Sequence, residues 1–464
     1  MSRVLILCPD RLGPRLAGTA MRYLEMTRVL SRTHSVTLAV PAPPAGAWLD
    51  LGGAQLLALD GPGLRRQAAG ADAVLVQGYT LRKLSWLAKS DVPLVVDLYD
   101  PAPLANLEIA SRLPGGRARL DSHEECLGFT LEQLLHGDFF LAAHERARDF
   151  WLGMLTALGR VDPDSAASDG QLLRLLGVVP TGVPDREPPP ASVPPSHPAY
   201  AGGRRPFVWS GGIWDWMDAE TLLRAFARVA EKTPSAALLF LGTRHPNPDV
   251  PPQGAPARAE ALARELGLLD RNVFFGDWVA YDERHRWLAH ALAGVSLHGD
   301  HLETRFAWRT RLLDHLWLGL PSLVSRGDTL GERMERGGAA LGANPGDAAA
   351  VEAGLNLLLE DAALREGQAA AARRLAAELR WPRVIGPLES FLKAPYTTRR
   401  RDQRLRYVDY LKEFLPHSPL HSAGLARMRR IYAREGGGGV VRRAFRRAAR
   451  AVGLEGRPGR RPES

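Results

Sequence analysis

Between His298 and Asp328 the chain reads HGDHLETRFAWRTRLLDHLWLGLPSLVSRGD, which sets Glu303, Arg305, Arg309, Arg311 and Asp314 between two short apolar runs. Arginine suits a diphosphate, because the guanidinium is planar, permanently charged and donates paired hydrogen bonds. Asp314 lies three residues beyond Arg311 on a helix whose buried side is Leu312, Leu313 and Leu316, and a carboxylate there suits a ribose diol. A structural arginine–glutamate lattice at a domain interface would use the same residues. Two further segments carry glycines where a strand gives way to a helix. Residues 10–25 hold Gly13 and Gly18, and 208–218 hold Gly211 and Gly212 followed by Trp214 and Trp216. Glycines there allow backbone amides to approach a phosphate, and a helix N-terminus favours an anion. The spacing in 10–25 is not the dinucleotide fingerprint, and these glycines suit a simple turn equally well. Two indoles on a loop suit packing on a neighbouring domain or stacking on a ligand.

The elements around these residues repeat one pattern. Val4–Leu7, His34–Val40, Ala73–Val76, Leu94–Val96 and Phe139–Ala142 read as short buried strands, with helical spacing between them. Residues 186–206 carry seven prolines and read as a semi-rigid connector. The pattern then restarts with Phe207–Trp209, a helix from Ala219 to Lys232, and strands at Ala237–Leu241, Val273–Phe275, Gly294–Leu297 and Ser322–Val324. Alternating strands and helices imply parallel sheets, so the expected fold class is α/β: two tandem Rossmann-like, doubly wound domains facing a cleft. Ligands in such sheets bind beyond the carboxyl ends of the strands.

Composition narrows the compartment and the partners. The 464 residues carry a net charge of +9, but residues 397–464 hold 18 basic and 6 acidic side chains, leaving the body slightly acidic. The high basicity therefore belongs to a tail, and without interleaved aromatics or a recognition motif it does not indicate nucleic acid. Two cysteines, Cys8 and Cys126, make neither a disulfide framework nor a zinc site, and His298, His301 and His315 lack metal-ligand spacing. The apolar run before Pro9 is too short for a signal core, and no stretch is long enough to span a bilayer, so a cytoplasmic location is expected. Within the tail, Val440, Val441, Ala444, Phe445, Ala448 and Val452 recur at helical spacing among Arg442, Arg443, Arg446, Arg447 and Arg450. That pattern is a basic amphipathic helix, fit for an anionic membrane surface or for a solvated extension.

Taken in order, these pieces resemble a GT-B glycosyltransferase of the family 4 type, over about residues 1–395. The resemblance rests on the glycine loop and R-x-x-E helix leading to His34-Ser-Val-Thr-Leu, on Gly211-Gly212, Phe240-Leu-Gly242 and Val273-Phe-Phe-Gly276, and on Leu313-Asp-His-Leu-Trp-Leu-Gly-Leu-Pro321. Trp381-Pro and the helix to Lys393 resemble the family's final helix. The resemblance implies transfer of a sugar from a nucleotide-sugar donor to an acceptor hydroxyl, with retention and with neither metal nor cofactor. It implies an acceptor domain at 1–185, a linker at 186–206, a donor domain at 207–380, a returning helix at 381–395 and a basic extension at 396–464. Asp314 takes the ribose position. Asp277-Trp278-Val279, after a strand, suits presentation of backbone to a base at Val279, and Trp278 suits interdomain packing equally well.

Three departures stand out. The basic pair that usually follows the second-domain glycines is replaced by Gly-Ile-Trp-Asp-Trp-Met, so Arg305, Arg309 and Arg311 are expected to hold the diphosphate instead. The carboxylate expected eight residues before Asp314 is Phe306, and Glu303 is the nearest upstream acid. The first-domain segment that often carries a histidine reads Val95-Val-Asp-Leu-Tyr-Asp-Pro101, so Asp97 and Asp100 are candidates for acceptor hydroxyls or sugar orientation, or cap a loop. His144 is expected to cap a helix. The acceptor implied is a glycan, a lipid-linked sugar or a small molecule, with cell-surface polysaccharide synthesis as the leading reading. A natural-product glycosyltransferase and a non-catalytic nucleotide-sugar-binding scaffold are the alternatives.

Overall fold

The computed structural model describes residues 1–44, 50–243, 245–248, 250 and 253–398. The amphipathic helix expected near 440–452 lies outside the described residues.

Seven strands form the first sheet: β1 (Arg3–Leu7), β2 (Ser35–Val40), β3 (Gln55–Ala58), β4 (Ala73–Val76), β5 (Leu94–Leu98), β6 (Phe139–Ala142) and β7 (Leu176–Val178). They are ordered β3-β2-β1-β4-β5-β6-β7, all parallel. Six form the second: β8 (Phe207–Ser210), β9 (Leu238–Leu241), β10 (Val273–Gly276), β11 (Ala293–Ser296), β12 (Ser322–Ser325) and β13 (Ala340–Ala343), ordered β10-β9-β8-β11-β12-β13 and again parallel. Both sheets are thus doubly wound, with strand order reversing between β1 and β4 and between β8 and β11. Helices cover both faces, which is why the strands read as unbroken apolar runs. In β1, Val4 and Ile6 enter one core with Tyr23 and Leu24, while Leu5 and Leu7 enter another with Val74 and Val76.

The first core is completed from the far end of the chain. Trp381, Ile385, Leu388, Phe391 and Leu392 pack with Val4, Ile6, Val36 and Leu38. Phe391 stacks on Phe139 at 4.9 Å between ring centres. The two crossings between sheets run side by side: Val183 N–H donates to the Leu379 carbonyl (2.8 Å) and Trp381 N–H to that of Val183 (3.2 Å). Within 186–206, Tyr200 is buried and donates its hydroxyl to the Trp287 carbonyl (2.6 Å), which fixes the connector to the second domain.

Candidate functional site

The carboxyl ends of the two sheets face each other across a cleft of about 510 Å3. Its first-domain wall comes from loops after β1 and β5, from the start of the helix Gly18–Leu30 and from the helix Ala102–Ser111. Its second-domain wall comes from the loops after β8, β9, β10 and β11 and from the helix Arg311–Leu318. The walls approach closely where Gly18 begins its helix: a Cβ there would lie 2.9 Å from Thr310 Oγ1, so a side chain would force Thr310 to shift.

Gly211 and Gly212 follow β8 directly. Gly211 has φ +103°, a conformation that side chains resist, and it donates to the Leu241 carbonyl (2.9 Å). Arg311 reaches this turn and donates from Nη2 to the Gly212 carbonyl (2.7 Å), with its guanidinium 4.9 Å from the Trp209 ring centre. No carboxylate pairs with it among the described residues, and its Nη1 is buried without a partner. Desolvation, then repulsion from Arg309, pushes Arg311 down to about 9. An unbalanced cation beside two glycines leaves this corner of the cleft electrostatically prepared for an anion.

Arg309 differs. Its Nη1 and Nη2 meet Glu303 at 3.2 and 2.8 Å, both side chains buried, and Nη2 also reaches Thr304. The pair faces the cleft, but Glu303 largely neutralises Arg309. Opposite stands Asp100, exposed on the cleft wall, whose carboxyl makes no hydrogen bond among the described residues. Crowding by protein, then the charge of Glu303, pushes Asp100 up to about 7, with Arg309 opposing. Water entering the cleft relieves part of that penalty, and a ligand displacing the water restores it.

Asp314 lines the cleft and accepts from Arg284 Nε (2.8 Å). Val279 lines it too, beside Trp278, whose indole donates across to the Leu16 carbonyl (3.2 Å). Trp214 and Trp216 stack on one another at 5.0 Å and 11° along the same wall, and Trp214 meets His245 at 5.5 Å.

Three expected site residues stand elsewhere. Asp97 lies within β5, buried, and its two oxygens accept from Arg22 Nε (2.8 Å) and Nη2 (2.9 Å), so it braces the first domain and does not line the cleft. Arg305 points outward, exposed, over the Phe306 ring. Gly13 also lies off the cleft, with open space where a Cβ would stand. Of the three arginines expected at a diphosphate, only Arg311 is both in the cleft and unpaired. Arg284 and Tyr281 escaped sequence reasoning: Arg284 holds Asp314, while Tyr281 donates its hydroxyl to Glu25 of the first domain (2.9 Å). Nothing in the spacing of YDERHRW distinguishes buried Arg284 from half-buried Arg286.

His144 caps the helix Glu145–Ala157, its Nδ1 accepting from Ala147 N–H (3.2 Å), while Nε2 meets the Phe306 carbonyl of the other domain (3.0 Å). The other histidines separate: His298 pairs with Asp328, His301 with Glu108, and His315 sits between Ser210 and Ser322. Among the described residues no group of three His, Cys, Asp or Glu is placed to hold a metal ion.

No protein-family model and no curated protein sequence matches the chain. Solved structures do. HepE of Anabaena, in complex with UDP-glucose, matches 85% of this chain and 100% of its own at TM-score 0.58 and 14% identity. WaaG, a glycosyltransferase of lipopolysaccharide biosynthesis, matches 83% of this chain and 98% of its own at TM-score 0.56 and 15% identity. Sucrose-phosphate synthase of Thermosynechococcus elongatus matches 85% and 100% at TM-score 0.57 and 14% identity. The two facing Rossmann-like domains are therefore the GT-B fold, which these glycosyltransferase structures share with the chain.

Proposed function

We propose that the protein is a glycosyltransferase that moves a sugar from a nucleotide-sugar donor to an acceptor hydroxyl, with retention and without a metal. The observation that carries this reading is Arg311: a cleft arginine with no carboxylate partner among the described residues, anchored at the Gly211–Gly212 turn. The reaction breaks the bond between the anomeric carbon and the diphosphate oxygen while the acceptor oxygen bonds to that carbon and passes its proton to the departing diphosphate. Negative charge then grows on the leaving diphosphate. A cation fixed in advance in a cleft that excludes water stabilises it without reorganisation. In this reading Asp314, steadied by Arg284, receives the ribose, and the backbone at Val279 faces the base. Asp100, on the first-domain wall, faces the acceptor side. The HepE structure in complex with UDP-glucose supports the choice of donor class.

Cell-surface glycan or glycoconjugate synthesis is the role proposed, with the basic residues 397–464 bringing the enzyme to an anionic membrane surface. The test is thermal unfolding against a panel of nucleoside diphosphates and nucleotide sugars, since a ligand at 100 times its Kd stabilises the native state by about 2.7 kcal/mol. At least one should raise Tm, and Arg311→Ala should weaken it about 10- to 100-fold, as loss of charge-assisted bonds implies. If none raises Tm, or if Arg311→Ala binds as tightly as the parent, the reading fails. Donor hydrolysis or transfer then separates an enzyme from a binding scaffold.

A further inference from the structure

The loop Trp214–Met217 occupies the place where a basic pair was expected, and the structure gives it another use. Trp214 and Trp216 stack on one another, their planes 11° apart and their ring centres 5.0 Å apart, and both line the cleft. Each indole covers one face of the other, and both residues remain partly exposed. The indole N–H of Trp216 is buried with no acceptor among the described residues, a state that favours arrival of an oxygen.

The loop is tied to one element of the opposite domain. Arg112, at the end of the helix Ala102–Ser111, donates to the Asp215 carbonyl (2.7 Å) and pairs with its carboxylate (3.5 Å). Glu108 of the same helix meets His301 (3.4 Å), and Gly299 beside it donates to the Trp216 carbonyl (3.1 Å). Ile109 is 48% exposed, lies one helical turn before Arg112 and lines the cleft. The cleft mouth is therefore a slot with an indole pair on one side, an isolated aliphatic side chain on the other, and Asp100 further along the first-domain wall.

We propose that this slot is an acceptor subsite for a pyranose ring. A pyranose offers an apolar C–H face to an aromatic surface and hydroxyl oxygens along its edge, one of which accepts from Trp216 Nε1. Trp214 then serves the acceptor, not the donor diphosphate, which belongs to Arg311. A flat aromatic acceptor would use the indole faces but has fewer edge oxygens for the N–H.

The proposal rests on the nucleotide-sugar reading, and its test keeps the two apart. The full-length protein saturated with UDP is titrated with methyl glucoside, galactoside and mannoside, followed by tryptophan fluorescence, with p-nitrophenol as the flat aromatic comparison. UDP affinity is measured separately by calorimetry. The expected result is binding of at least one methyl pyranoside, weakened more than tenfold in Trp214→Ala and Trp216→Ala while UDP affinity changes less than twofold. Trp216→Phe, which keeps a ring and removes the N–H, should lose about fivefold, the scale of one hydrogen bond. Absence of pyranoside binding, equal binding by the variants, or tighter binding of p-nitrophenol would overturn the subsite. Failure of UDP to bind would instead overturn the donor reading.

Discussion

Asp97 and Asp100 show how far three residues separate two carboxylates in role. Asp97 closes a buried ion pair with Arg22, which also donates to Thr181 and the Val179 carbonyl. Removing one partner of such a pair leaves the other buried and uncompensated, at about 3–5 kcal/mol. Asp97→Asn should lower the unfolding free energy in urea by that amount and leave nucleotide affinity of the folded protein unchanged. Asp100 behaves in the opposite sense. Desolvation and Glu303 raise its pKa from 3.8 to about 7, so between those values the native state binds more protons than the unfolded chain and stability falls as pH rises. Asp100→Asn removes that dependence. Its Tm advantage over the parent should grow from pH 5 to pH 8 in scanning calorimetry, and an advantage that shrinks would contradict the assignment. The sequence could not sort the two, because Arg22 lies 75 residues from Asp97 and the cleft side of Asp100 is set by where β5 ends.

At the scale of elements, the helix Arg311–Leu318 carries both Arg311 and Asp314, so its end geometry bears on the site. It stops at Gly319 with φ +64°, and a Cβ there would meet Arg373 Nη1 at 2.5 Å and the Ala369 carbonyl at 3.2 Å. Gly319→Ala should cost about 1–2 kcal/mol from the left-handed backbone alone, read as a shift in the urea midpoint. Leu-Gly-Leu-Pro announced that stop in the sequence. Strands with β-branched or aromatic residues were equally legible: Ala73–Val76 and Phe139–Ala142 stand as expected, and the helix Ala219–Lys232 matches at both ends. The three unexpected strands share a weak signal. Gln55–Ala58 is only partly covered at the sheet edge, Leu176–Val178 has three residues, and Ala340–Ala343 is built from small residues whose burial comes from neighbours distant in the chain. The Trp214–Trp216 stack was legible as a choice between packing and ligand, and the geometry of the facing helix bears on that choice.

Over the whole molecule, charge and fold divide the work. The two sheets and their cleft lie within the described residues, while residues 397–464 carry the excess of basic groups. No described helix is long and apolar enough to cross a membrane. Each basic group near an anionic surface contributes about 1 kcal/mol, so deletion of residues 399–464 should sharply reduce sedimentation with phosphatidylglycerol vesicles and spare nucleotide-induced stabilisation. Unchanged sedimentation would remove the membrane role.

The side-by-side crossings at Val183 and Leu379–Trp381 set the order in which the chain becomes whole. The core beneath β1 and β2 lacks Leu388, Phe391 and Leu392 until the second sheet has been synthesised. At ribosomal speed those residues emerge on the order of ten seconds after β7. By the end of that interval the second sheet has all its strands while the first still has an open apolar face. Vectorial synthesis therefore finishes the later domain first, and the early domain waits for the end of the message to close its core.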